Sequence, residues 1–200
     1  PDKVTPMTQL CERMQRVLDG GGIRHWGVSN HSAAQVSALL AAAQMAGTTP
    51  PIGVEDYYTI AGSAVTPEGE SRPRVLEREM FPVLWEMGLG LLAFSPMDRG
   101  ELAPGGTVGA GSPLAELLQT IDRAASQLQT SRGAVCVAWV LAQTGVTAVL
   151  GGAESPTHVD EMIEGVRLEL PTEILESLSA GSNTYSQSVV AALDTDRRMR

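Results

Sequence analysis

Four short clusters of polar or glycine residues each follow an apolar run: Ser29-Asn30, Asp56-Tyr57-Tyr58, Ser95-Pro96 and Gly151-Gly152. Hydroxyl, amide and carboxyl groups at the carboxyl ends of parallel strands are where an α/β protein builds a site, because the chain turns there. Ser155-Pro156 reads as the N-cap and first turn of a helix, whose free N–H groups suit an anion. Acid–base chemistry is thinly supplied. Lys3 is the one lysine, so a buried catalytic lysine would have to come from elsewhere. His25 falls in a strand pattern, His31 just after Ser29-Asn30 and His158 in a helix pattern, and none forms a motif with a neighbouring nucleophile. Cys11 and Cys136 sit in apolar helical patterns without metal-ligand spacing. They read as buried free thiols in a reducing, cytoplasmic compartment.

The elements that must position these groups alternate along the chain. Met7, Leu10, Cys11, Met14, Val17 and Leu18 recur at helical spacing after Thr5-Pro6, and Gly20-Gly21-Gly22 stops that helix. Ile23–Val28 reads as a strand; Ser32 with Gln35 forms a capping box for a helix to about Ala46. A strand over Ile52–Asp56 leads into a Gly-, Pro- and Glu-rich loop, Ala61–Pro73. A helix over Val75–Met87 and a strand over Leu89–Phe94 follow, then a second loose segment, Gly100–Pro113. Helices over Leu114–Leu128 and Arg132–Gln143 come next, then a strand over Thr147–Leu150 and a helix over Pro156–Glu164. The pattern ends with a short strand, Arg167–Leu170, and a helix from Thr172 to about Ser179. Helix–strand units with continuous apolar strands predict a parallel sheet covered by helices. Four such units make either half of an eight-unit barrel or a small doubly wound sheet; the polar strand ends favour the barrel.

The chain has 200 residues, 43% of them hydrophobic and 18% charged, within reach of one domain with a real core. A net charge of −9 argues against nucleic acid as a partner, since phosphate binding needs clustered Lys and Arg. No run of 18 apolar residues exists, so no membrane span is expected. The chain opens on Pro1, as a processed, split or truncated product would.

Four blocks then make a family recognisable: IRHWGVSNHSAAQV (Ile23–Val36), PPIGVEDYY (Pro50–Tyr58), GLGLLAFSPMDRGEL (Gly88–Leu102) and GVTAVLGGAESPTHVDEM (Gly145–Met162). Their order resembles the second half of the aldo-keto reductases. The resemblance implies the C-terminal half, four β/α units, of that family's TIM barrel over residues 1–180. Residues 181–200 are expected to form a flexible tail. The family's catalytic Asp, Tyr, Lys and His lie in the first half of the barrel, and none of their motifs is found here. Pro1-Asp2 matches the sequence just after the family's catalytic His strand.

The second half of such a barrel normally grips the nicotinamide cofactor. By resemblance, Ser29 and Asn30 hydrogen-bond the carboxamide, and Glu55 stands where the family has a Gln that does the same. Phe94 takes the place of the aromatic that stacks on the nicotinamide. Ser95, Met97 and Arg99 fall where the pyrophosphate is held, and Arg99 can pair with phosphate. Gly152, Ala153, Glu154, His158 and Met162 occupy the region that binds a 2′-phosphate and the adenine. Glu154 would repel the phosphate, and Met162 replaces an Asn, while Glu161 is retained for the adenine amino group. NADPH or NADH binding is therefore expected to be weak or lost. Trp26, Tyr57, Tyr58 and the second loose segment are candidates for the pocket of a small carbonyl substrate.

Two readings follow. In one the chain is part of an NAD(P)H-dependent carbonyl reductase, inactive without the missing catalytic half. In the other it is a repurposed half-barrel with a binding, regulatory or non-redox enzymatic role. Four barrel strands would leave an inward face, including Val28, Val54, Leu92 and Phe94, and two edges uncovered. The expected partner is a second copy or a complementary N-terminal half-barrel chain.

Overall fold

The computed structural model describes residues 5–65, 71–72, 76–104, 109 and 111–199. Pro1, Asp2 and Lys3, and parts of both loose segments, lie outside them. At the start, α1 (Met7–Asp19) packs on α2 (Ala33–Ala46) around Cys11, Trp26, Leu39, Ala42 and Ala43. The capping box forms as expected: Ser32 Oγ accepts from Gln35 N–H at 3.3 Å, and Gln35 Oε1 accepts from Ser32 N–H at 2.8 Å. Between these helices β1 is only Val28–Ser29, shorter than the expected Ile23–Val28. Trp26 and Ile23 turn instead into the α1–α2 layer.

The sheet centres on β2 (Gly53–Thr59), which runs parallel to β1 on one side and to β5 (Gly90–Phe94) on the other. In turn β5 pairs in parallel with β6 (Val146–Leu150). The segment expected to be a loop after Ala61 instead begins an antiparallel extension, β3 (Gly62–Val65) and β4 (Ser71–Arg72), paired to the end of β2. A π-helical turn, Leu76–Met80, opens into α3 (Phe81–Met87). Beyond β5 come a short 3₁₀ turn (Asp98–Gly100), α4 (Pro113–Leu128) and α5 (Arg132–Leu141). Ser112, Ser131 and Ser155 each cap the helix that follows, α6 (Pro156–Arg167) in the last case.

Strand alternation divides the sheet into two faces. The back face carries Val54 and Tyr58 from β2 and Leu91 and Ala93 from β5. These join Leu84, Ile121, Val135 and Trp139 in one core cluster. The front face carries Glu55 and Tyr57, with the half-buried Leu92 and Phe94. Val54, and Val28 in register with it, therefore belong to the helix-covered side, not to the inward face expected from sequence.

Two further expectations are corrected. Residues 167–170 form no strand; α6 runs on to Arg167, and Leu168 and Leu170 pack as half-buried coil. The last helix does not stop near Ser179. α7 is continuous from Thr172 to Met199, through residues read as a flexible tail. Its small residues are what mislead and what hold it. Leu178, Ser182, Tyr185 and Ser186 lie on one helical face and pack inward, and the Ser182 hydroxyl donates to the Ile60 carbonyl at the end of β2. Thr184 and Ser188 spend their hydroxyls on the carbonyls four residues back, at 3.1 and 3.0 Å.

Candidate functional site

The carboxyl ends of β1 and β2 bring Ser29, Asn30 and Glu55 together, since Ser29 registers with Glu55 and Asn30 N–H donates to the Glu55 carbonyl at 3.1 Å. Asn30 Nδ2 donates to Ser29 Oγ at 2.8 Å, and both side chains are exposed. His31 Nδ1 lies 2.9 Å from the Ser29 carbonyl. Asn30 has φ of 56°, a left-handed conformation that an asparagine tolerates better than most residues. Ser95, Asp98 and Arg99 share that region with φ of 58°, 49° and 55°. Left-handed non-glycine residues thus gather at the ends of β1 and β5, as expected where backbone is bent to present groups to a ligand.

On the front face Phe94 and Tyr57 meet edge to face, with ring centroids 5.7 Å apart. The Arg99 guanidinium lies 5.5 Å above the Tyr57 ring. Tyr57 is therefore only 2% exposed although it faces away from the helix layer. A guanidinium over a ring face still has its edge N–H groups to donate, so Arg99 can pair with a phosphate from this position.

Beside this group a cleft of about 390 Å³ opens between the ends of β5 and β6. It gathers Ser95, Met97, Arg99, Gly152 and Glu161, five of the nine cofactor-contact residues expected from sequence, together with Glu154, His158 and Met162. Gly151 forms part of its wall, and a Cβ there would stand 2.5 Å from Met162 Cε, so a larger residue would push the flexible end of the methionine aside. Glu161 lies against α5: a Cβ on Gly133 would come within 2.8 Å of its Oε2. His158 Nδ1 accepts from Glu154 N–H at 3.2 Å and completes the N-terminal turn of α6. Two carboxylates and one permanent cation line the cleft. It suits a ligand with hydroxyl donors and one anionic group better than one with many negative charges.

The rim of the cleft is pinned by a residue that sequence reasoning missed. Arg132 Nε and Nη2 donate to Asp122 at 2.7 Å each, and Nη1 donates to the carbonyls of Leu102 and Ala103 at 3.2 and 3.1 Å. One planar guanidinium thus ties α4 and α5 to the segment that carries Met97 and Arg99. Nothing in the local sequence marks it, because the contacts to that segment span 30 and 29 residues. Asp98, also missed, sits in the same segment. Burial first and Glu101 second push its carboxyl above the usual range, and Arg99 opposes them.

Two expected pocket residues lie elsewhere. Tyr58 is on the back face, stacked on Trp139 at 5.8 Å and tilted against Phe81 at 5.5 Å between ring centroids, with its hydroxyl donating to Glu77. Trp26 is 7% exposed under α1 and α2, and its Nε1–H donates to the Thr49 carbonyl at 3.0 Å. Both are core residues. Among the described residues no cluster of three or more His, Cys, Asp or Glu could hold a metal, and no helix is long and apolar enough to cross a membrane.

Known proteins share this sequence pattern and fold. The chain is 25% identical over 202 residues to a probable voltage-gated potassium channel subunit beta of Oryza sativa subsp. japonica, covering 90% of this chain and 58% of that protein. It is 25% identical over 191 residues to the uncharacterized oxidoreductase YrpG of Bacillus subtilis (strain 168), covering 89% and 55%. A crystal structure of the thermostable aldo-keto reductase Tm1743 with the inhibitor epalrestat superposes with a TM-score of 0.70 at 21% identity, over 90% of this chain and 57% of that one. The chain spans a little over half the length of the proteins it matches. The sequence profile of the aldo/keto reductase family matches residues 1–182, and the chain belongs to that family.

Proposed function

We propose that this chain is the cofactor-holding half of an NAD(P)H-dependent carbonyl reductase, with the acid that protonates the carbonyl supplied from outside these 200 residues. The observation that carries the reading is the cleft itself: five expected cofactor residues, from two stretches far apart in sequence, line one space at the ends of β5 and β6. Phe94 adjoins Ser95 at its mouth and offers a ring face to a nicotinamide. In that role Ser29 and Asn30 orient the carboxamide, Arg99 meets the pyrophosphate and Glu161 the adenine. Bound nicotinamide supplies the hydride. This chain's residues hold the dinucleotide in register and keep water from the ring face.

Calorimetric titration of the chain with NADPH and with NADH tests the reading. Saturable binding that Arg99→Ala weakens supports it, and no binding of either removes it. Reduction of a reactive aldehyde by the chain alone is expected to be absent, since general acid catalysis contributes roughly 10²–10⁴-fold. Turnover abolished by Tyr57→Phe would show that a tyrosine of this half had taken over as the acid.

The uncovered surfaces support a partner, either the remaining barrel strands or a second copy. Leu150 is 40% exposed on β6, and Val159, Ile163 and Val166 form an exposed stripe on α6 at 44%, 44% and 64%. Light scattering at micromolar concentration should show association; a monomer that binds no hydrophobic dye would exclude it. A second reading, a regulatory subunit without redox turnover, is favoured by one feature: Glu154 and Glu161 make the cleft acidic where a phosphorylated cofactor would need cations.

A further inference from the structure

Among the described residues, the buried side-chain oxygen left without a hydrogen-bond partner is Asp56 Oδ2. Asp56 is 4% exposed and lies within β2 between Glu55 and Tyr57. Alternation places it on the back face with Val54 and Tyr58, away from the cleft. Buried polar atoms in folded proteins are nearly always paired, so an orphaned carboxyl oxygen inside a strand calls for a physical account.

Its neighbours are specific. The register of β1 on β2, Val28 with Val54 and Ser29 with Glu55, brings Asn30 alongside Asp56. On the other side its register partner is Ala93 of β5, which carries no charge. Glu55, the adjacent residue on its own strand, repels a second negative charge, while the Asn30 backbone N–H favours one. His31 follows in the β1–α2 turn, with Nδ1 turned to the Ser29 carbonyl. Burial first, then Glu55, hold the carboxyl up at about 7. As a neutral acid Asp56 fits an apolar back face. As a carboxylate it must recruit donors, and those at hand belong to the strand end that also presents Ser29 and Asn30. Asn30 is already held at φ 56°, so that end has little slack to give.

We propose that Asp56 is a positioning residue for the nicotinamide end of the site: neutral, it leaves the Asn30 N–H on the Glu55 carbonyl and Ser29 and Asn30 in their binding arrangement, and ionised, it draws that N–H away and weakens the dinucleotide. The proposal rests on the cofactor reading above. Because the effect passes through the Asn30 backbone, two readouts separate the parts. One is the Asn30 amide resonance in nitrogen–proton spectra of the chain from about pH 5.5 to 8.5, a range that brackets the carboxyl's titration. The other is the NADH dissociation constant over the same range, both for wild type and for Asp56→Asn.

The Asn30 resonance should titrate with a midpoint near neutrality in wild type and stay flat in the variant. NADH should bind about tenfold more weakly at the alkaline end of the range than at the acid end in wild type, a coupling of ordinary size, and equally well at both in Asp56→Asn. Wild-type and variant profiles that coincide, or an Asn30 amide that does not titrate, overturn the role of Asp56 while leaving cofactor binding intact. An amide that titrates in a chain binding no NADH at any pH overturns the cofactor reading, and the positioning role falls with it.

Discussion

Tyr57 and Tyr58 are neighbours in the chain and live on opposite faces of the sheet. Tyr58 is wedged between Trp139 and Phe81 in the helix-covered core, and its hydroxyl is taken by Glu77. Tyr57 meets Phe94 and is capped by the Arg99 guanidinium. The back face is closed by large, buried apolar side chains. The front face is covered in part by the exposed Arg99 and leaves Leu92 and Phe94 half-buried. One residue of strand register separates a tyrosine of the helix-covered core from one on the front face.

That contrast breaks if the two faces respond alike to truncation. Trp139→Ala empties a fully buried position beside Tyr58 and should cost about 3–5 kcal/mol of unfolding free energy. Phe94→Ala removes a half-buried ring from an open face and should cost well under half of that. Urea unfolding of both variants checks the ratio. Equal losses would mean that the front face is as closed as the back.

How far the sequence could be read depended on how local the determining contacts were. The capping box at Ser32, the serine cap at Ser155 and the carboxyl ends of β5 and β6 were legible because their determinants lie within a few residues. The cleft-lining residues were legible only through resemblance, which fixed their place before any geometry was known. What failed was long-range. Trp26 and Tyr58 looked like pocket aromatics at strand ends, but β2 runs on to Thr59 and alternation turned Tyr58 inward. α7 looked finished at Gly181 because glycine and serine are poor helix formers. Burial of Ser182 and Ser186 among residues far away in the chain overrides that propensity. Asp56 had a weak signal that went unread: a carboxylate between Val54 and Tyr58 on the apolar side of an alternating strand.

Asp56 also makes the back face pH-dependent, which sharpens the comparison. Its carboxyl titrates at about 7 in the folded chain against 3.8 for the unperturbed group. A raised pKa means that the folded state holds the proton more tightly. The associated stability is complete below about pH 4, falls as the pH rises through about 7, and is absent above that. The span is on the order of 4 kcal/mol. Asp56→Asn should flatten this fall, so the variant gains on wild type as the pH rises from about 4 to about 7 in urea unfolding. Parallel pH profiles would show that the carboxyl is hydrated and charged in the folded chain.

On the front side the corresponding test is Arg132→Ala. It removes the fork to Asp122 and the two bonds to Leu102 and Ala103. Asp122 is half-exposed, so solvent screens the ion pair, and the net cost should be about 1–2 kcal/mol. The more informative readout is coupling. If Arg132 positions the segment that carries Arg99, the double variant with Arg99→Ala should lose less NADH affinity than the two single losses combined. Additive losses would confine Arg132 to holding α4 and α5 together.

The smallest expected effect concerns which dinucleotide the cleft takes. Glu154 stands at its rim with its backbone N–H on His158, and Glu161 lines the same space; Arg99 is the permanent cation among them. A 2′-phosphate carries close to two negative charges near neutrality, whereas a ribose hydroxyl can donate to a carboxylate. The chain should therefore show little preference for NADPH over NADH. Glu154→Lys exchanges a repelling charge for an attracting one at an exposed position, where screening keeps the gain modest. The ratio of NADPH to NADH affinity should rise by about tenfold, ~1.4 kcal/mol, with unfolding stability unchanged. Titration of both cofactors into both proteins at low and physiological salt decides it. A wild-type chain that already prefers NADPH by about tenfold would place the 2′-phosphate away from Glu154. A variant ratio that ignores salt would mean that the lysine acts through the shape of the turn instead of its charge.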